Sequence, residues 1–209
     1  MADDCCSGKG DAIAALGRKA EQRRILILVM VINFVMFAAE FGGGLFARSS
    51  ALMADSVDML GDGIVYALSL HALHRGPRWE AGAALIKGGI IALFGIAVLI
   101  EIFDKLVNGA PPSSTLMLVF GGAALVANLG CLALLSRFRR ENVNMSSTFE
   151  CSRNDVISNV DVLIAAGLVA MTGTIWPDIA AGGVIALLFL RSARRVLADA
   201  AAAWRAGSA

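Results

Sequence analysis

The sequence predicts an all-α membrane protein, a bundle of six transmembrane helices with both termini in the cytoplasm. Three observations support this prediction: 57% of the 209 residues are hydrophobic, the mean hydropathy is +0.72, and six apolar runs alternate with short polar breaks. Soluble domains contain about 45–50% apolar residues, so a water-soluble core would not absorb this apolar surface. We therefore expect a multi-pass integral membrane protein, placed in the inner membrane if the cell is bacterial.

Charge and cysteine content exclude several other classes. The net charge is +1, from 18 basic and 17 acidic residues, so the basic patch typical of nucleic-acid binding is not expected. Cys5 and Cys6 are adjacent, whereas Cys131 and Cys151 lie in apolar segments, which is unlike a secreted disulfide framework. We expect reduced thiols, with Cys131 acting as a small buried apolar residue. No arrangement of Ser, His and Asp indicates hydrolysis, so neither an enzyme nor a cofactor is expected.

The six apolar runs have the length that a membrane span requires. A bilayer core of roughly 30 Å needs about 20 helical residues at 1.5 Å each. Breaks rich in Arg, Gly and Pro separate the runs, and the loops are too short to form domains. The polar N-terminus does not look like a cleaved signal peptide. We predict cytoplasmic tails at 1–24 and 191–209 around a transmembrane domain at 25–190, with spans at 25–47, 51–73, 81–107, 114–135, 146–172 and 175–190.

Basic residues predict the orientation, because Lys and Arg that flank transmembrane helices are retained on the cytoplasmic side. Four clusters lie before the first span and after the second, fourth and sixth spans, so all four share one side of the membrane. The opposite side carries only Arg48 and Lys105. The clustered residues are Arg18, Lys19, Arg23 and Arg24, then Arg75 and Arg78, then Arg137, Arg139 and Arg140, and finally Arg191, Arg194 and Arg195.

Ionisable residues occur inside two of the predicted spans, where each costs a few kcal/mol or more. The second span contains Asp55, Asp58 and Asp62, whose spacing of three and four residues places their carboxylates along one stripe of a helix. In the fifth span, Cys151 and Asp155 are four residues apart and also share a face. Thiolates and carboxylates are ligands for divalent metals.

Topology brings these two groups to similar depths. Asp58 and Asp62 lie roughly 10 to 17 Å into the second span, and Cys151 and Asp155 roughly 8 to 14 Å into the fifth, which runs the other way. In a hydrocarbon layer of about 30 Å, both pairs can meet near the midplane. Four ligands from two such pairs suit a tetrahedral cation. The predicted metal ligands are therefore Asp58, Asp62, Cys151 and Asp155.

Other charged residues in the spans allow a structural explanation. Asp55 or Asp161, taken alone, is equally well explained by a hydrogen bond or ion pair in helix packing. Arg153 lies beside the predicted site and is able to neutralise Glu150 or Asp161, although the helical turn points it away from the metal-binding face.

The same segments resemble the cation diffusion facilitator family of metal/proton antiporters. The resemblance covers about residues 33–195, and its specificity comes from two paired motifs. The first reads as Asn33, then EFGG at 40–43, then SSALMADSVD at 49–58 and Asp62. The second reads CSRNDVISNV at 151–160 and is similar to the family's His-x-x-x-Asp motif, and the WPD at 176–178 also fits.

The resemblance implies export of a divalent transition-metal cation, such as zinc or cadmium, from the cytoplasm in exchange for protons. The metal is then a transported substrate, and a homodimer is the expected assembly. Two features depart from the family pattern. Cys151 stands where many members carry His, which makes the site softer. We also expect the chain to lack the cytoplasmic metal-binding domain that most members append.

Two alternatives to transport remain open from the residues alone. One is a membrane metal sensor that does not translocate its ion. The other is a membrane thiol-redox protein that uses Cys5 and Cys6. The acidic and thiol side chains at 3–6 also allow a metal-capturing tail, but a disordered end is favoured.

For several other polar side chains, the sequence suggests alternative roles without singling out one. His71 and His74, with Glu80, allow a metal-loading site at the cytoplasmic surface, but an interfacial role is favoured. Four acidic residues toward the outer halves of their spans are candidates for the exit path or a proton relay. These are Glu40, Asp55, Glu101 and Asp104.

Overall fold

A computed structural model describes the backbone of residues 3–71, 77–140 and 143–206, and the side chains of most of them from residue 17 onward. Over these ranges the chain forms six α-helices and no strand, which confirms the all-α six-helix bundle. The side chains of Cys5, Cys6, His71 and His74, for which metal binding was considered, lie outside the described residues. The helices are α1 Asp3–Ala47, α2 Ser50–His71, α3 Pro77–Asn108, α4 Ser114–Ser136, α5 Val143–Thr172 and α6 Trp176–Ala206.

The helices extend beyond several of the predicted spans. α6 continues to Ala206 because residues 191–206 contain neither Gly nor Pro and are rich in Ala and Arg, which favour helix. The segment predicted as a short C-terminal tail is therefore mostly helical. α3 begins earlier than expected, at Pro77, because proline fits the first position of a helix. At the other terminus, α1 begins at Asp3 rather than near residue 25.

Contacts at the helix ends show that α1 and α4 run in opposite directions, as expected for helices that alternate in direction along the chain. The backbone N–H of Ser113, just before α4, donates a hydrogen bond of 2.9 Å to the carbonyl of Ala47 at the end of α1. At the opposite end of the same pair, Arg137 donates to Glu21 at 2.9 Å. An even number of alternating helices places both termini at one end of the bundle. That this end is cytoplasmic stays a prediction.

The outside of the bundle is apolar and its centre is polar. Three described helical stretches are long and apolar enough to cross a membrane, namely Lys19–Ala47, Ser114–Ser136 and Thr148–Thr172. Side chains such as Val35 and Val126 are more than half exposed on the outer surface. α2, which carries three aspartates, packs against all five other helices and is the most enclosed. An apolar surface around a polar centre is the reverse of the arrangement in a soluble protein, and it is typical of a helical protein in lipid.

Small residues bring the other helices close to the start of α2. A Cβ on Gly182 of α6 would lie 2.6 Å from the carbonyl carbon of Ser50, so only glycine permits this approach. Ala51 and Leu52 pack in one cluster with Val162 and Ala166 of α5. This cluster fixes the register of α2 against α5, and the register positions the polar residues described below.

Candidate metal centre

The register of α2 against α5 places two of the predicted metal ligands at the same level. Asp58 follows Leu52 by six residues along α2, a rise of about 9 Å. Asp155 precedes Val162 by seven residues along α5, which runs in the opposite direction, a rise of about 10 Å. Because Leu52 and Val162 belong to the same hydrophobic cluster, the two aspartates occupy one layer of the bundle.

Asp155 is the side chain in this layer whose burial is least compensated by hydrogen bonds. It is 2% exposed, and neither of its carboxylate oxygens accepts a hydrogen bond from any described donor. The charges that act on it most strongly are those of Asp62 and Asp58, and the carboxyl of Asp58 lies within hydrogen-bonding reach. A buried carboxylate facing two others is costly unless a cation or protons neutralise the group.

Asp62 has a partner that the sequence argument overlooked. The hydroxyl of Tyr66 donates a hydrogen bond of 2.8 Å to Oδ2 of Asp62, and the tyrosine is 1% exposed. Tyr66 is the sole tyrosine in the chain and follows Asp62 by four residues. This spacing places the two side chains on the same face of the helix, so the contact could have been predicted from the sequence. This bond fixes the orientation of the Asp62 carboxylate.

Cys151 lies at the edge of the same group. Its side chain is partly buried and interacts electrostatically with Tyr66. Cys151 and Cys131, the two cysteines whose side chains are described, are free thiols in the structure. Cys131 is fully buried in an apolar cluster with Leu135 and Phe138, as expected.

The structure places the carboxyl groups of Asp58 and Asp155 within hydrogen-bonding reach of each other but does not assemble the predicted four-ligand site. In the described part of the chain, no group of three or more His, Cys, Asp or Glu side chains is close enough to hold a metal ion. Asp58, Asp62 and Asp155 are neighbours across α2 and α5, and Cys151 is connected to them through Tyr66. The four-ligand set therefore stays a prediction that requires these side chains to move toward a common centre.

Arg153 does not neutralise this group. Its guanidinium forms an ion pair of 2.5 Å with Glu150, three residues earlier, and both side chains are about half exposed. Of the two partners that the sequence allowed, Glu150 and Asp161, the structure pairs Arg153 with Glu150 and leaves the guanidinium exposed, away from the metal-binding face. Asp161 is also exposed and lies beside Pro177 in an apolar groove between α5 and α6.

A second polar group, which we call the amide layer, lies beside the first and consists of Glu40, Asp55, Asn128 and Asn159. The amide of Asn159 donates to Oδ2 of Asp55, and the amide of Asn128 donates to Oδ1 of Asn159 at 2.8 Å. Asp55 thus has the helix-packing hydrogen bond that the sequence allowed. Asn128 was overlooked, although one amide in the otherwise apolar α4 is a recognisable pattern for a bond between helices.

The third polar group closes the end of the bundle opposite the termini, and we call it the latch. It consists of Ser49, Ser50, Lys105 and Asp178. The carboxylate of Asp178 accepts hydrogen bonds from the Ser49 hydroxyl and from the backbone N–H groups of Ser50 and Ala51, at 2.5, 2.9 and 3.2 Å. The ammonium of Lys105 pairs with Asp178 at 2.5 Å and also donates to Ser50.

The latch was not predicted, although its parts were visible in the sequence. Asp178 lies in the first turn of α6 and Lys105 in the last turn of α3. Their side chains are 0% and 2% exposed. A carboxylate that accepts the first free N–H groups of α2 acts as a cap supplied by another helix. The latch thereby joins α2, α3 and α6 at one end.

Comparison with known proteins identifies the family of this helical bundle. Residues 26–203 match the model of the cation efflux transmembrane domain. The chain belongs to this family. The resemblance drawn from the paired motifs is confirmed, and the protein is a multi-pass integral membrane protein of a transporter family rather than an enzyme family.

Several curated relatives have names that describe metal transport. The chain is 27% identical over 189 residues to the cadmium, cobalt and zinc/H(+)-K(+) antiporter of Bacillus subtilis, covering 82% of this chain and 61% of the relative. It is 26% identical to the zinc transporter ZitB of Yersinia pseudotuberculosis, covering 90% and 64%. Identity to the metal cation efflux system protein CzcD of Cupriavidus metallidurans is 27%, covering 80% and 57%. The chain thus spans about three fifths of the length of these relatives.

Proposed function

We propose that this chain forms the membrane-spanning part of a secondary transporter that exports a divalent transition-metal cation, zinc or cadmium, from the cytoplasm in exchange for protons. The observation that carries the proposal is Asp155, a buried carboxylate without a hydrogen-bond donor that faces Asp58 and Asp62. A group of acceptors in the middle of a membrane bundle requires positive charge from outside the protein.

The chemistry of the ligands favours a borderline or soft divalent metal. Asp58, Asp62 and Asp155 supply carboxylates, and Cys151 supplies a thiolate one turn from Asp155 on α5. Sulfur ligands select zinc, cadmium and related ions over magnesium or calcium. The metal is the transported substrate, so the ligands must bind it reversibly.

Exchange with protons follows from the same atoms. Carboxylates and a thiol bind metal only after they lose their protons, so protons and metal compete for one set of side chains. A change in helix packing that exposes the centre alternately to the two sides then couples one flux to the other. The alternative packings differ in which end of the bundle is open.

The latch supports a bundle that is closed at one end. Ser49, Ser50, Lys105 and Asp178 are all at most 3% exposed, whereas Asp58 and Cys151 retain partial exposure. If the termini are cytoplasmic, as we propose, the closed end faces outward. Metal then reaches the centre from the cytoplasm in this conformation, and opening of the latch releases it.

The experiment is a flux assay with the purified full chain in proteoliposomes that contain a zinc-sensitive dye and carry a pH gradient. We expect uptake by the parent protein and at least a tenfold slower rate in Asp155→Asn. Asp161→Asn is the matched control, because it changes the same residue type on the same helix but at an exposed position. Equal rates in the parent and Asp155→Asn contradict the proposal.

The same assay separates the alternatives. Metal binding to the parent protein without flux indicates a sensor that does not translocate. Activity that depends on Cys5 and Cys6 but not on Asp58 or Asp62 indicates a thiol-redox protein. The homodimer stays a prediction, and the mass of the detergent-solubilised protein measured by light scattering tests it.

A further inference from the structure

Glu40 on α1 is a buried carboxyl that the proposed metal centre does not use. It is 0% exposed, and neither of its carboxyl oxygens accepts a hydrogen bond from a described donor. The charge that acts on it most strongly is that of the Asp55 carboxyl on α2. Two buried carboxylates that face each other repel when both are ionised, and Glu40 has no described donor to offset its burial, so the pair is stable only when one of the two carries a proton.

The surroundings indicate which carboxyl carries it. Asp55 accepts hydrogen bonds from the side chains of Ser158 and Asn159 of α5, and Asn128 of α4 orients the Asn159 amide. These donors stabilise the ionised form of Asp55. Glu40 has no comparable donor, so the arrangement is satisfied when Glu40 is protonated and donates to Asp55.

Among the side chains that the structure describes, the charged groups that face the pair are acidic. Asp155 acts on Glu40 and Asp161 acts on Asp55, both from α5, and Asp58 follows Asp55 by one turn of α2. The neighbours from α3 and α6 in this region are apolar, as Val98 and Ala186 illustrate. Negative charge in the empty metal centre therefore favours the proton on Glu40, and a dication bound there would disfavour it.

We propose that Glu40 is a proton-binding residue separate from the metal ligands, with Asp55 as its hydrogen-bond acceptor, and that metal loading releases its proton. In the release step the O–H bond of Glu40 breaks, the bonding electrons stay on the carboxylate, and the proton passes to water. The protonation of Glu40 stands independently of transport, whereas its coupling to metal rests on the proposed function.

The first test is infrared difference spectroscopy of the metal-free, full-length protein in lipid. The parent minus Glu40→Gln spectrum should show a protonated carboxylic-acid carbonyl band that shifts in heavy water. Glutamine is a suitable replacement because its amide can also donate to Asp55. The parent minus Glu150→Gln spectrum should lack the band, since Glu150 is exposed and paired with Arg153. Absence of the band from the Glu40→Gln difference overturns the proposal.

A monovalent cation is the competing occupant, and the same measurement distinguishes it. The band should be equally strong in buffers that contain choline or potassium as the only monovalent cation. A band that disappears in potassium shows that Glu40 is ionised around a metal ion rather than protonated, and it also overturns the proposal.

The second test counts the protons released when zinc is added to the detergent-solubilised protein in weak buffer. Glu40→Gln should release about one proton fewer per zinc than the parent, with a zinc Kd within about threefold of the parent value, and Glu150→Gln should match the parent. Equal release from Glu40→Gln and the parent overturns the coupling. Failure of the parent to bind zinc instead contradicts the proposed function and leaves the infrared result to decide the protonation.

Discussion

The latch and the metal centre are both built from carboxylates buried inside a membrane bundle, but they differ in how those carboxylates are satisfied. Asp178 in the latch accepts bonds from a hydroxyl, two backbone N–H groups and a lysine. Asp155 in the metal centre accepts none from the described residues and faces other acids. The latch is complete within the chain, whereas the metal centre requires an additional cation.

This difference separates a structural role from a binding role for the same residue type. A satisfied carboxylate stabilises the conformation that contains it, and its removal leaves donors without partners. An unsatisfied carboxylate destabilises the empty protein, and its removal relieves repulsion. Substitution at the two sites should therefore change stability in opposite directions.

The largest effect should come from Asp178→Ala. This change leaves the Lys105 ammonium buried without its counterion and removes the cap from α2, so we expect a loss of about 3–5 kcal/mol in stability. The measurement is the unfolding midpoint of the detergent-solubilised protein, followed by tryptophan fluorescence. Asp104→Ala, at the same end but exposed and bonded only to Asn108, should change the midpoint little. Equal effects of the two changes contradict the role of the latch.

A second prediction concerns the choice of metal at Cys151. Replacement by His substitutes a borderline ligand for a soft one at the same helical position, so the ratio of cadmium to zinc affinity should fall about tenfold, or roughly 1.4 kcal/mol. Competition binding of zinc and cadmium to the purified variants measures this ratio. Replacement by Asp should favour harder ions such as manganese.

The role of Cys151 should also appear in the pH dependence of metal affinity. A thiol must lose its proton to bind metal, so metal affinity should rise with pH more steeply in the parent than in Cys151→Asp. Identical metal rankings and pH slopes in the variants show that Cys151 faces away from the ion. Asn154 then becomes the next candidate for the fourth ligand.

A smaller effect, opposite in sign to that of the latch, is expected for Asp58→Ala. Removing one of the facing carboxylates relieves repulsion on Asp155. The metal-free protein should unfold at an unchanged or higher midpoint, with a gain of up to about 1 kcal/mol, while the stabilisation by added zinc disappears. A large loss of metal-free stability indicates instead that Asp58 supports the fold.

The smallest effect is expected for Arg153→Ala. The ion pair with Glu150 is about half exposed on both sides, and such pairs contribute about 0–1 kcal/mol. Metal ranking and flux should match the parent, because Arg153 points away from Asp155. A changed metal ranking shows that the electric field of the guanidinium reaches the metal centre, so that the two faces of α5 do not act independently.

Much of the site followed from spacing, because positions on one helix are fixed by its local periodicity. Asp58 and Asp62 share a face of α2 whatever surrounds them, and antiparallel spans bring Asp155 to their level. The overlooked residues make contacts between helices. Asn128 and Asp178 are both single polar residues in apolar or terminal segments, and nothing local specifies their partners.

The sequence by itself determined that this chain is a multi-pass membrane protein of six helices and that acids and a thiol lie inside two of them. Both results depend on properties of single segments, namely apolar length and helical period. Only the tertiary structure decided which carboxylates are satisfied. That outcome depends on the register between helices, set by close contacts such as Gly182 on Ser50, because a shift of one turn would give Asp178 or Asp55 different partners.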